Sequence, residues 1–474
     1  MNDQRAVGPA HLADRGSCAP AVGQLHRKLK SFGVLLLTMS CLSPVFSIYG
    51  VGSDVLQHAG TGAALLFTVG IGAAVIWAVV YAELGSAFPY AGGDYVGVGT
   101  VLGSAAGFVS LALWAVTVIP IGAFLAKTMA VYVGDLAPAV PPQIITFGSL
   151  AAALVVALLA VRTSAFVTGL FLALEMLAVL ALIVAGLWHP ARSLVNVIAH
   201  PMALDAAGTL GPATLEALAL GAVSAAFATA GGNQAIAFGE ELADPHRRMG
   251  RVIIIAGLIG AFATAIPIIA VVLGAGDLAA TFASPAPFSA FMSTTVGPAS
   301  ARALSAGVAL AVFNALIAQI MFSARLFFSL GRDEIFHARV NRMLARVHGV
   351  SGAPRAATLL VGALCALCCL LNSHLLVVFT SALVVYSLGL VSVAVLVGRA
   401  KGSTGQPGYW RSPLYPLAPV LGLGLALVFF VADLLDADDG RPSILILGSV
   451  LVGALAWYHV VLKRRPGGWA PKLV

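Results

Sequence analysis

The chain has 474 residues, of which 60% are hydrophobic and 9% charged, and its mean hydropathy is +0.99. A soluble globular protein carries about 25% charged residues, so this composition excludes one and specifies an all-α polytopic membrane protein. The formal charge of +7 reports sidedness rather than a nucleic-acid partner. Of 26 lysines and arginines, only Arg192, Arg302 and Arg441 fall on the outer side and Lys127 within a span; the rest collect on the inner side, where positive charge and anionic membrane lipid belong.

The first 30 residues form a polar cytoplasmic tail, predicted to be disordered, with no cleavable signal peptide. Apolar runs of about 20 residues or more then predict twelve transmembrane helices, near 31–57, 61–82, 103–133, 143–162, 165–188, 214–238, 251–275, 301–331, 355–372, 374–398, 414–434 and 442–463. The first of these contains Ser43-Pro44-Val45-Phe46-Ser47, followed by Gly50 and Gly52. Proline removes an amide donor and clashes with the preceding turn, so a break is predicted near Ser43. Thr117 and Trp114 in the third span fall at mid-depth, and the fifth contains Glu175 as its one ionisable residue. A lone carboxyl in a membrane helix points to function, which makes Glu175 a proton-coupling candidate against a purely structural role.

The sixth span is interrupted by Ala230-Gly231-Gly232-Asn233-Gln234. Backbone in a bilayer has no water to satisfy it, so such a break is tolerated only where it faces protein or a water-filled cavity. Spans one and six lie five apart in opposite orientation, the relation in which inverted repeats place their discontinuous helices. In the eighth span Asn314 and Gln319 should face the interior, either lining a pocket or bonding between helices. Ser381 and Tyr386 in the tenth fall at similar depth. Cys365, Cys368 and Cys369 in the ninth lack a basic or histidine neighbour and read as packing. The basic stretch 332–355 fits a surface helix or a solvated loop.

Three stretches carry a family resemblance. Tyr81-Ala82-Glu83-Leu84-Gly85-Ser86-Ala87-Phe88-Pro89-Tyr90-Ala91-Gly92-Gly93-Asp94-Tyr95 follows span two, Glu240-Glu241-Leu242-Ala243-Asp244-Pro245-His246-Arg247-Arg248 follows span six, and Ala324-Arg325-Leu326 with Gly331-Arg332-Asp333-Glu334 closes span eight. In these the chain resembles the amino acid-polyamine-organocation transporters. The resemblance implies two inverted five-helix repeats plus two C-terminal helices, with helices 1 and 6 broken. It implies a transport core over 31–398, and helices 11 and 12 with a short cytoplasmic tail over 399–474.

It further implies a small-molecule substrate, an amino acid or related amine, moved across the cytoplasmic membrane by alternating access. The site would be built from Ser43, Pro44, Val45, Phe46, Ser47, Phe227, Ala230, Gly231, Gly232 and Asn233, with Thr117, Asn314 and Gln319 as further lining. Phe227 stands where similar transporters keep an aromatic gate, with packing as its alternative. Glu83, Glu241, Arg325 and Asp333 would form an inner-gate network. The chain departs from the family pattern in having Ser-Pro-Val-Phe-Ser in place of Gly-Ser-Gly, Asn233 in place of a glutamate, and no lysine in span five. No nucleotide-binding or catalytic motif appears, so neither a cofactor nor an enzymatic role is expected; ion or substrate gradients would drive the cycle. A sensor or channel of the same fold is the alternative.

Overall fold

The computed structural model describes residues 30–90, 92–159, 165–205, 207–346, 354–465 and 468–470. The N-terminal tail through residue 29 lies outside them. Helix α1 (Ser31–Leu42) stops at Ser43, a π-helical turn covers Phe46–Gly52, and α2 (Ser53–Ala59) completes the first apolar region. Then follow α3 (Gly62–Ala87), α4 (Asp94–Leu102), α5 (Ser104–Leu136), α6 (Pro142–Leu159) and α7 (Ala165–Trp188). A short helix α8 (Leu194–Ala199) leads into an antiparallel hairpin of β1 (Met202–Leu204) and β2 (Leu210–Pro212), with Ala203 opposite Gly211.

Helix α9 (Leu215–Thr229) ends at the second break and a 3₁₀ segment, Gly232–Phe238, before α10 (Pro245–Gly274). Beyond it lie α11 (Leu278–Ala283), α12 (Pro287–Thr295), α13 (Pro298–Arg332), α14 (Ala338–Leu344), α15 (Arg355–Cys368), α16 (Ser373–Ala400), α17 (Leu417–Leu435) and α18 (Gly440–Trp457).

Among the described residues ten helices are long and apolar enough to cross a membrane. Two of the twelve expected spans are not among these ten. The first is divided at Ser43, where a break was expected, and the ninth yields only the 14 residues of α15, a rod of about 21 Å at 1.5 Å per residue, shorter than a hydrocarbon core of about 30 Å. Its apolar sequence continues past Cys368, but Asn372 accepts the Leu375 amide at 3.1 Å and starts α16 instead. Of the basic stretch expected as a helix or a loop, Ala338–Leu344 is helical, with Leu344 and Asn341 buried and Arg339 and Arg342 exposed; residues 347–353 lie outside the described set.

The bundle has a basic end, with Arg247, Arg248, Arg332 and Arg399, and an acidic end, with Asp54, Asp277, Asp436, Asp438 and Asp439. α3 packs on α9 and α10, α10 on α7, and α5 on α13, α16 and α6. The hairpin lies over the acidic end, where the Thr61 amide donates to the Met202 carbonyl at 2.7 Å.

Candidate functional site: the paired helix breaks

α1 enters from the basic end and α9 from the acidic end, and both stop inside the bundle. Ser43 ends α1 in the left-handed region at φ 39°, because Pro44 cannot donate to the preceding turn. The amides of Val45 and Phe46 fall in the first turn of the segment that restarts at Pro44, where a helix has no carbonyl for them. The Ser47 amide closes that turn on the Ser43 carbonyl at 3.3 Å. The Ser43 hydroxyl is buried without a hydrogen-bond partner among the described residues. A π-helical turn directly after this break fits its setting, since such turns concentrate at functional sites.

In the second break, Ala230 is extended and Gly231 takes φ 142°. The Ala230 amide closes back on Ala226 and Phe227, so the carbonyls of Ala228 and Thr229 end α9 with no continuing helix to donate to them. The Thr229 hydroxyl ties this last turn to the Gly70 carbonyl of α3 at 3.0 Å. The two breaks meet: a Cβ on Gly231 would run into the Leu42 side chain at the end of α1. One on Gly232 would lie 2.8 Å from the Gly257 amide of α10, so the 3₁₀ segment sits on α10 at a distance only glycine allows. Asn233 is buried beside this contact.

Aromatic rings surround the first break. Phe46 meets Phe124 of α5 edge-on at 5.6 Å, and Tyr49 meets Tyr132 at 5.6 Å and Phe288 at 5.1 Å. Phe227 is half-buried against the same core. Tyr49 donates to the Ala178 carbonyl of α7 at 3.3 Å, close to Glu175, whose buried Oε2 has no hydrogen-bond partner among the described residues.

The other expected residues separate. Thr117 donates to the Leu113 carbonyl and lines a narrow crevice with Trp114, Leu383, Val384 and Ser387. Gln319 donates to the Val118 carbonyl at 3.1 Å and so joins α13 to α5; that bond places it in helix–helix contact rather than as free lining. Asn314 is half-buried on α13, which touches the π-helical turn.

The inner-gate set also divides. Glu83 is fully buried and accepts from Arg399 at 2.5 and 3.0 Å, from Thr404 at 3.2 Å and from the Ser412 amide at 3.1 Å. Its partners lie at the end of α16 and in the following loop, none of them among Glu241, Arg325 or Asp333. Asp333 pairs with Arg332 at 3.4 Å and faces Tyr95 of α4, whose phenol is pushed up by burial and further by this carboxylate. Arg325 is exposed and Glu241 half-buried. Lys127, placed within a span, donates to the Leu371 carbonyl just past α15. Cys365 and Cys369 face the Ile119 and Ala123 carbonyls of α5 and pack there.

Sequence reasoning missed the role of Asp94. It lies in α4, outside the ten spanning helices, and accepts from Trp114 at 2.7 Å and Tyr81 at 3.3 Å. Burial pushes its carboxyl up to about 6 against the lowering effect of these donors. Tyr81 also reaches Ser387 at 3.1 Å, so Asp94 connects the signature stretch to the crevice beside Thr117.

The fold is shared with solved transporters. A manganese transporter of Eremococcus coleocola, in complex with an aromatic bis-isothiourea substituted compound, superposes with a TM-score of 0.60 at 12% identity, over 92% of this chain and 97% of that one. Two mutants of that transporter give TM-scores of 0.56 and 0.57 at 12% and 11% identity, each over 90% of this chain and 94% of theirs. No curated protein matches the sequence. The profile of the amino acid permease family matches residues 29–454, spanning both breaks and all three signature stretches, and the chain belongs to that family.

Proposed function

We propose that the protein is a secondary transporter that carries an amino acid or related amine by alternating access, with both termini cytoplasmic and residues 31–398 forming the transport core. The observation that carries this reading is the meeting of the two breaks, with Leu42 of α1 set against Gly231. A substrate carboxylate would be held by the Val45 and Phe46 amides at the positive end of the restarting helix. The ammonium group would face the Ala228 and Thr229 carbonyls, with Asn233 orienting the substrate and Phe227 closing over it.

Residues 43–47 and 230–234 contain no carboxylate, and hard divalent cations such as manganese favour carboxylate oxygen. That chemistry favours an organic zwitterion over a metal ion as cargo here, whatever the structural neighbours carry. The unpartnered Glu175 oxygen on α7, the helix that receives the Tyr49 hydroxyl, supports proton symport; substrate exchange is the other mode the fold supports.

Counterflow in proteoliposomes tests the reading. A carrier exchanges labelled amino acid against its gradient, while a sensor binds it and moves none. Substrates would first be ranked by the rise in Tm they cause, since a ligand stabilises by RT ln(1 + [L]/Kd). Glu175→Gln should retain counterflow but lose accumulation driven by a pH gradient; unchanged accumulation would remove Glu175 from coupling.

A further inference from the structure

At the acidic end, three side chains from two helices converge. Asp54 and His58 stand one turn apart on α2, and His374 is the second residue of α16. The His374 Nδ1 lies 3.0 Å from both carboxylate oxygens of Asp54, and the His58 Nδ1 lies 3.6 Å from Asp54 Oδ1. The two imidazoles stack with centroids 3.9 Å apart. One donor atom from each residue falls within 4.8 Å of the others, a separation that a single ion with bonds of about 2.0–2.2 Å can bridge with small side-chain movement.

The geometry points to a binding site for a divalent cation of the zinc class, held by Asp54, His58 and His374, with Asp439 as a positioning residue behind His374. Two imidazoles and one carboxylate are a nitrogen-rich set that suits zinc better than calcium or magnesium, which take oxygen. Three protein ligands leave a fourth position for water. The outer nitrogen of His374, Nε2, lies 3.9 Å from Asp439 Oδ2, from which a small movement would make the carboxylate–histidine hydrogen bond that fixes a metal-bound ring. Asp439 is itself placed by Asp436, which accepts the amides of Asp438 and Asp439 at 3.0 and 3.1 Å.

An ordinary Asp54–His374 ion pair would account for one imidazole. It leaves unexplained a second imidazole stacked on the first and a second carboxylate behind it. Asp54 is buried while the His58 side chain is 45% exposed, so an ion has a route in from solvent. To ligate through Nδ1, His58 gives up its 2.8 Å contact with the Asp54 carbonyl, a cost that lowers affinity. Because α2 follows the first break, a bound ion would fasten that arm to α16 and to the loop before α18.

The test uses the purified full chain, free of any histidine tag and stripped of metal, dialysed against zinc chloride. Wild type should hold one zinc per chain and gain Tm with zinc. His58→Ala and His374→Ala should bind at least about tenfold more weakly and lose that gain, and Asp439→Asn should weaken binding about tenfold, as for other outer-shell carboxylates. His459→Ala, a remote control, should bind as wild type. Zinc held equally by wild type and His58→Ala, no zinc held by wild type, or displacement by equimolar magnesium would overturn the proposal. Should His374→Ala not assemble, His58→Ala decides, since its side chain is largely at the surface.

Discussion

Gly231 and Gly232 show how single residues set the second break. A β-branched side chain at Gly231 would have to adopt φ 142° and displace Leu42. Strained conformations of this kind cost on the order of 1–3 kcal/mol before any clash, and about 1.4 kcal/mol is already tenfold in an equilibrium. Gly231→Val should therefore lower uptake by at least about tenfold while the protein still inserts and runs as a single species by size exclusion. Normal uptake by that variant would remove this break from the transport site. The break itself was legible because a glycine pair with carboxamides is costly inside an apolar helix unless it faces protein or water. Its contact with Leu42 was not, since sequence carries no sign of which break residue meets which. Gln319 illustrates the converse: its polarity was visible, but only α5 packed against it shows that its amide is taken by Val118.

At the level of elements, ion pairs decide which helix ends hold together. Glu83 and Arg399 join α3 to α16, and Thr404 and the Ser412 amide satisfy the remaining carboxylate lone pairs. Removing one partner of a buried pair costs about 3–5 kcal/mol because the other charge is stranded, while an apolar replacement of both is nearly neutral. Glu83→Ala should thus lower Tm markedly, and the double variant Glu83→Leu/Arg399→Leu should recover much of the loss. If the double variant falls by the sum of the single ones, the pair is not coupled and the assignment fails. Glu83 could be picked out from sequence as a buried-end carboxylate, but its partner 316 residues away could not. The short α15 escaped for a different reason: hydropathy runs unbroken through the turn after it, and the cue lay in the Asn372 cap. Asp54 and His58 stand four apart on one helix face but went unremarked in the sequence, and His374 joins them only through the fold.

The charge pattern predicts how the whole molecule sits in the bilayer. Every spanning helix connects an end rich in arginine to an end rich in aspartate, and basic residues are retained on the cytoplasmic side during insertion. The assignment is self-consistent along the chain: α3 ends at Glu83 and Ser86, α10 begins at His246, and Trp410 donates to the His246 carbonyl at 3.1 Å, so three separate loops gather on one face. The opposite face gathers Thr61 with Met202, and Asp54 with His374. Were the molecule inverted, both clusters would exchange sides together, so two positions suffice to test the arrangement. Asp438 and Arg339 are both exposed, on opposite ends. In a variant lacking the native cysteines, a membrane-impermeant maleimide applied to intact cells should label Asp438→Cys and leave Arg339→Cys unlabelled until the membrane is opened. The reverse pattern would place the basic end outside and overturn the proposed cytoplasmic position of the termini.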